Sequence, residues 1–276
     1  MFASNFLLIM QFTFHLMETK LVLALGTIAI LIAGLLFVSG LGLSTLQLTG
    51  MNINSAIATS KTSFDKKFTD SFNLKNCTLS TTGSNPYFIL QPGYQLVFKG
   101  VEDNEPLNVT STVLDQTKVV GDGIVARAVE EKTVNSKTGD LIEITRDYFA
   151  ICKENNSVFY FGEDVDNYEN GKVVDHEGSW LHGSDNARAG LIMPGIILLG
   201  SKYYQEIAPD VAMDKSEIVG VNETVNVPSG SFSGVIHMKE TSDLEPAVAA
   251  EENLHAPGVG QVIDGDTKLV RAGYVK

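Results

Sequence analysis

Alternation predicts an antiparallel all-β fold, a meander closed as a barrel or stacked as a sandwich, behind an N-terminal transmembrane helix. Three observations carry this. Apolar residues recur at every second position from about residue 94 onward. Turn-forming residues interrupt them at intervals of about 8–15 residues. An uncharged apolar run precedes all of it, from Leu21 to Leu48.

The elements follow in order. Tyr94, Leu96 and Phe98 alternate with Gln95 and Lys99. Ile142, Ile144, Tyr148, Ala150 and Cys152 share one parity, against Glu143, Thr145, Asp147 and Lys153. Val158-Phe159-Tyr160-Phe161 reads as a short strand apolar on both faces. Val225 and Val227, Val235 to Met238, and Thr267 to Tyr274 continue the pattern. Ser136–Asp140, Glu154–Ser157, Asn170-Gly171 and Pro228–Gly230 supply turn residues. The stretch 162–200 reads as irregular.

Charge divides the 276 residues into two materials. Glu18 and Lys20 are the only Asp, Glu, Lys or Arg before Lys61, and they cancel. The net charge of -13 therefore belongs to residues 61–276. So acidic a body excludes a nucleic-acid binder, which needs a basic face to displace counterions from phosphates. The run at 21–41 contains no charged side chain and is long enough to cross a membrane. Lys20 before it favours a cytoplasmic N-terminus and an outer C-terminal domain. An uncleaved anchor is expected, with secretion after signal cleavage as the alternative. The expected organisation has four parts. Residues 1–16 are an over-extended start or a short apolar segment, because Met17 begins a normal signal pattern. Residues 17–48 are the anchor, 49–72 a stalk, and 73–276 the β domain.

Cys77 and Cys152 are the only cysteines, so any intrachain disulfide joins them; the alternative is a buried thiol at Cys152. Asn76, Asn108, Asn155 and Asn222 each begin an Asn-x-Ser/Thr sequon, relevant only in a compartment with the transferase.

The densest polar cluster is Asp175 to Asp185. His176, Glu177, His182 and Asp185 are its candidate metal ligands, since imidazole and carboxylate bind borderline and hard cations. Their spacing lacks the helical turn of HExxH, and a polar loop around Trp180 is the plainer reading. Glu163–Gly171 fails the EF-hand pattern at its fifth and sixth positions and reads as an acidic hairpin loop. No P-loop, CxxC or nucleophile elbow occurs. No cofactor is expected beyond that candidate metal.

An ordered series of motifs resembles a group of uncharacterised prokaryotic secreted proteins. It comprises Asn85-Pro86-Tyr87-Phe88, Pro92-Gly93-Tyr94, Tyr160-Phe161-Gly162-Glu163-Asp164-Val165, Tyr168-Glu169-Asn170-Gly171-Lys172, Glu177-Gly178-Ser179-Trp180, Pro194-Gly195, Tyr203-Tyr204-Gln205-Glu206, Leu244-Glu245-Pro246 and Ala256-Pro257-Gly258-Val259-Gly260. It spans about residues 80–275 and implies an exported β-rich domain, with no activity attached. Asp210 stands where the pattern expects Gly, which bears on the local turn.

Function is thus expected to be binding or structural, in a membrane-anchored outer domain. The partners are the membrane, through residues 21–41, and a small ligand, lipid or envelope component. The alternative is an outer, metal-dependent hydrolase using the 175–185 cluster.

Overall fold

The computed structural model describes residues 67–102 and 104–275. The expected anchor, the start segment and most of the stalk lie outside the described residues. Among the described residues no helix is long and apolar enough to cross a membrane.

The strands are β1 (Leu79–Ser80), β2 (Gly83–Asn85), β3 (Phe88–Leu90), β4 (Tyr94–Glu102), β5 (Glu105–Val120), β6 (Ile124–Asn135), β7 (Leu141–Cys152), β8 (Val158–Glu169) and β9 (Lys172–Asp175). They continue as β10 (Trp180–Leu181), β11 (Arg188–Met193), β12 (Lys202–Tyr204), β13 (Glu206–Ile207), β14 (Asp214–Val227), β15 (Gly230–Ser242), β16 (Glu251–Ala256), β17 (Gly260–Asp264) and β18 (Thr267–Tyr274). Each expected turn falls between two of them. The stretch 162–200 is more regular than its composition suggests, because β8 runs on to Glu169 and β9, β10 and β11 follow. The acidic segment 163–169 is therefore strand, and only Asn170-Gly171 forms the turn, both at positive φ.

A 16-stranded sheet follows the path β12-β14-β15-β16-β17-β18-β4-β5-β6-β7-β8-β11-β13, with β1 paired to β7 and β9 and β10 paired to β8 beside it, and its neighbours are antiparallel throughout. Its two ends, β12 and β13, are separated in sequence only by Gln205. One short segment thus pairs with β14 and then with β11, and the sheet comes round into a nearly closed barrel. Closure at this seam depends on Gly190 in β11. A Cβ there would lie 2.3 Å from the Gln205 carbonyl oxygen and 2.6 Å from that of Tyr204. Gly190→Ala is expected to cost about 3 kcal/mol, since both obstacles are backbone and cannot swing away. Urea unfolding of the full chain in detergent checks this; an unchanged midpoint would contradict the seam.

The β2–β3 hairpin plugs one end. Asn85, fully buried, donates from Nδ2 to the carbonyls of Asn156 and Pro194, both at 2.9 Å. Tyr87 Oη donates to Gly234 O at 3.1 Å, and Phe88 packs edge-on against Phe149. Leu90, Val113, Ile151, Val158, Ile236 and Met238 continue this apolar cluster.

A second cluster lies on the opposite face of β7 and β8. Tyr148, Ala150, Cys152, Phe159 and Phe161 are covered there by Phe72, Leu74, Cys77 and Leu79. A disulfide joins Cys77 to Cys152, with Cα atoms 5.0 Å apart. The packed chain extends back at least to Thr69, which makes a parallel bridge to Tyr203. At the Ala208–Ala212 bridge, Asp210 adopts φ +62, the left-handed geometry for which Gly was expected.

Candidate functional site

The parity of β7 carries the central finding. Tyr148, Ala150 and Cys152 pack beneath the 72–79 segment, so the alternate residues must face the barrel interior. Those residues include Thr145, fully buried, and Asp147, which lines an internal cavity. The polar parity is the inner one.

A bulge then adds to it. Asp147 is paired with Glu163, and Phe149 with Tyr160, so three steps on β8 match two on β7. In a regular strand Tyr160 and Glu163 would point to opposite faces. Here both face inward, with Gly162 at φ +130 between them. A Cβ on Gly162 would meet the Trp180 carbonyl oxygen at 2.4 Å, so the bulge requires glycine. Trp180, the only tryptophan, is buried and donates from Nε1 to Glu163 Oε1 at 3.1 Å.

The interior holds a cavity of about 190 Å³. Asp147, Glu163, Glu206, Asp214, Glu240 and Asp264 line it, from six different strands, and among the described residues no lysine or arginine does. Phe88, Phe149, Ile192 and Met238 form its apolar wall. A chamber of about 70 Å³ adjoins it under the hairpin; the two share Phe88, Ser111, Val129, His255 and Gln261.

Hydrogen-bond donors are scarce among these acceptors. Tyr160 Oη donates to Asp147 Oδ1 at 2.8 Å. Gln261 Nε2 donates to Asp264 Oδ1 at 3.0 Å, and Asn253 Nδ2 to Glu240 Oε2 at 3.2 Å. The Asp214 amide donates to Glu206 Oε1 at 2.8 Å. Two buried atoms on the cavity wall have no partner: Glu163 Oε2, on a residue 3% exposed, and His255 Nδ1, on a residue 9% exposed. Such orphans are uncommon, because a buried polar atom without a partner costs its desolvation.

Electrostatics follow from crowding in a poorly solvated space. Burial pushes the carboxyls of Asp147 and Glu240 up to about 7. Burial also holds Glu131, Glu163 and Glu206 well above the usual range, and neighbouring carboxylates add to it in each case. Asp147 and Glu240 keep some exposed surface, but they line the cavity, so burial still governs them. His255 is pushed down to about 4 by burial. Near neutral pH it is a neutral imidazole with a free ring nitrogen facing an acidic chamber.

The sequence-derived candidates lie elsewhere. His176 is exposed on the far side of β8, with Nδ1 2.8 Å from Val165 O and 3.0 Å from Asp166 Oδ1. His182 Nδ1 accepts the Ala189 amide at 3.0 Å, and its ring meets Phe161 edge-on. Glu177 and Asp185 are exposed, and Asp185 occupies a turn at φ +49. Among the described residues, the only three metal-type donors drawn close together are Cys77, Cys152 and Glu154, and those sulfurs form the disulfide. His176, Glu177, His182 and Asp185 are thus not brought together. Of the sequon asparagines, Asn76, Asn155 and Asn222 are exposed, whereas Asn108 sits within β5 with a buried Oδ1.

No family model matches the chain, and no curated protein matches it. Two solved structures are similar to it. One, from Bacteroides fragilis, is described as a candidate exported protein with a YmcC-like fold; it is 17% identical, covers 69% of this chain and 100% of its own, and has a TM-score of 0.33. The other, a candidate lipoprotein from Parabacteroides distasonis, is 12% identical, covers 70% of this chain and 100% of its own, and has a TM-score of 0.34. Similarity at this level assigns no activity.

Proposed function

We propose that residues 67–275 form a ligand-binding module held on the outer face of a membrane by the apolar segment at 21–41. The observation that carries the binding reading is the internal cavity, with two buried, unpartnered polar atoms on its wall. A barrel kept only for structure gains nothing from enclosing several carboxylates without a cation, because each opposes folding when ionised. The disulfide supports the outer location, since such bonds persist in oxidising compartments. Lys20, ahead of the apolar run, supports the same orientation. The hydrolase alternative has lost its main support, because its four candidate ligands do not converge.

Native mass spectrometry of the full chain, released from detergent, tests the binding reading. A retained or saturable small molecule is expected. A chain that retains none and takes up none would overturn it. Thiol trapping before lysis tests the location independently: Cys77 and Cys152 should be blocked, and free thiols would contradict an outer placement.

A further inference from the structure

We propose that the two adjoining chambers bind a small organic amine with an apolar body, its ammonium among the inner carboxylates and its body against Phe88, Phe149 and Tyr160. This rests on the binding reading and names its ligand class.

Six carboxylates face the larger chamber, and among the described residues no lysine or arginine joins them. Glu163 Oε2 and His255 Nδ1, both on residues about nine-tenths buried or more, have no hydrogen-bond partner. An ammonium supplies the missing charge and up to three N–H donors at once. A carbohydrate or other neutral polyol would supply donors but leave the charge uncompensated.

Geometry then separates an organic cation from a metal ion. A bare divalent ion draws several oxygens to within about 2–2.6 Å of one centre. Among the described residues, no three of these carboxylates and His255 bring ligand atoms within 4.8 Å of one another. The acceptors are spread around a space, which suits a cation that carries its own volume. Aromatic faces complete the fit. Phe149 and Tyr160 stack with centroids 4.9 Å apart, and Phe88 meets Phe149 at 5.1 Å. An amine beside such rings gains cation–π attraction, and an apolar body gains contact area. The smaller chamber, walled by Tyr87, Ile89, Tyr94, Leu96 and Val113, extends that apolar space past His255.

The test uses the full chain in detergent at about pH 8, with 2-phenylethylamine as probe, 2-phenylethanol as its neutral counterpart and calcium chloride as the metal arm. Calorimetry measures binding, and Trp180 emission reports it locally, since that indole donates to Glu163. The amine is expected to bind at least roughly 100-fold more tightly than the alcohol, and calcium is expected not to compete. Glu163→Gln should weaken the amine by roughly tenfold or more while the protein stays folded, because a glutamine cannot ionise against the ammonium and keeps the Trp180 acceptor. Glu252→Gln, which removes an outer carboxylate paired with Lys239, is the control for general attraction to an acidic protein and should change nothing. Equal affinity for the alcohol overturns the amine and leaves the binding module standing. Calcium binding in place of the amine does the same. No uptake of any probe, with nothing retained in native mass spectrometry, overturns both.

Discussion

Acidification from about pH 8 to pH 6 is expected to stabilise the protein by roughly 2 kcal/mol and to raise its melting temperature by about 5 °C. Asp147 and Glu240 have folded-state values near 7, above their ordinary 3.8 and 4.5. A carboxyl raised in this way contributes stability that is complete below its unfolded value and is lost as the pH climbs through 7. Each group is worth roughly 1 kcal/mol over the interval. Glu131, Glu163 and Glu206, also held well above the usual range by burial, act in the same direction. His255 opposes them. Its value is pressed down to about 4, so its contribution is present above pH 6.5 and fades as the pH falls, at a cost of roughly 1 kcal/mol by pH 6. The carboxylates win by number. Repulsion within a chain of net charge -13 also favours acid, but high salt screens that effect at the surface. Urea midpoints in high salt should keep the trend, and Asp147→Asn with Glu240→Gln should reduce it. A midpoint that rises with pH would show that these carboxylates are not enclosed.

Loss of the disulfide is the other large effect. Cys77 and Cys152 are 75 positions apart, and freeing a loop of that length returns about 4–5 kcal/mol of entropy to the unfolded chain. The bond also fastens the 72–79 segment, whose Phe72 meets Phe159 edge-on and covers the outer face of β7 and β8. A double replacement, Cys77→Ala with Cys152→Ala, should therefore lower the urea midpoint steeply and expose Phe159 and Tyr148 to solvent. An unchanged midpoint would show that the segment is held by packing alone.

The β fold was legible because its signals are local. Turn residues at 136–140, 154–157, 170–171 and 228–230 mark hairpins that the structure contains. The direction in which the strands face was much less legible. Ile142 through Cys152 alternate cleanly, and a carboxylate parity ordinarily faces water. In β7 that parity faces the barrel interior, because the 72–79 segment covers the other face and a second apolar surface becomes available. Period two identifies two faces; it does not say which is inside. Glu163 was hidden for a different reason. The bulge at Gly162 reverses the parity of everything beyond it, and a bulge leaves only a glycine in the sequence. The polar stretch 175–185 is dense in sequence, yet His176, Glu177 and Asp185 are exposed and His182 is taken up by the Ala189 amide. The cavity takes single residues from strands far apart in the chain, such as Asp147, Glu206 and Asp264, and no spacing rule connects them.

The most direct test of the account is the proton count on binding 2-phenylethylamine at about pH 6, measured by calorimetry in buffers of different ionisation enthalpy. At that pH Asp147 and Glu240 are largely protonated, and a cation seated among them favours their ionised forms. About one proton should be released per ligand bound, and less in Asp147→Asn with Glu240→Gln. Binding without proton release, identical in both proteins, would place the amine outside the carboxylate-lined cavity and contradict it.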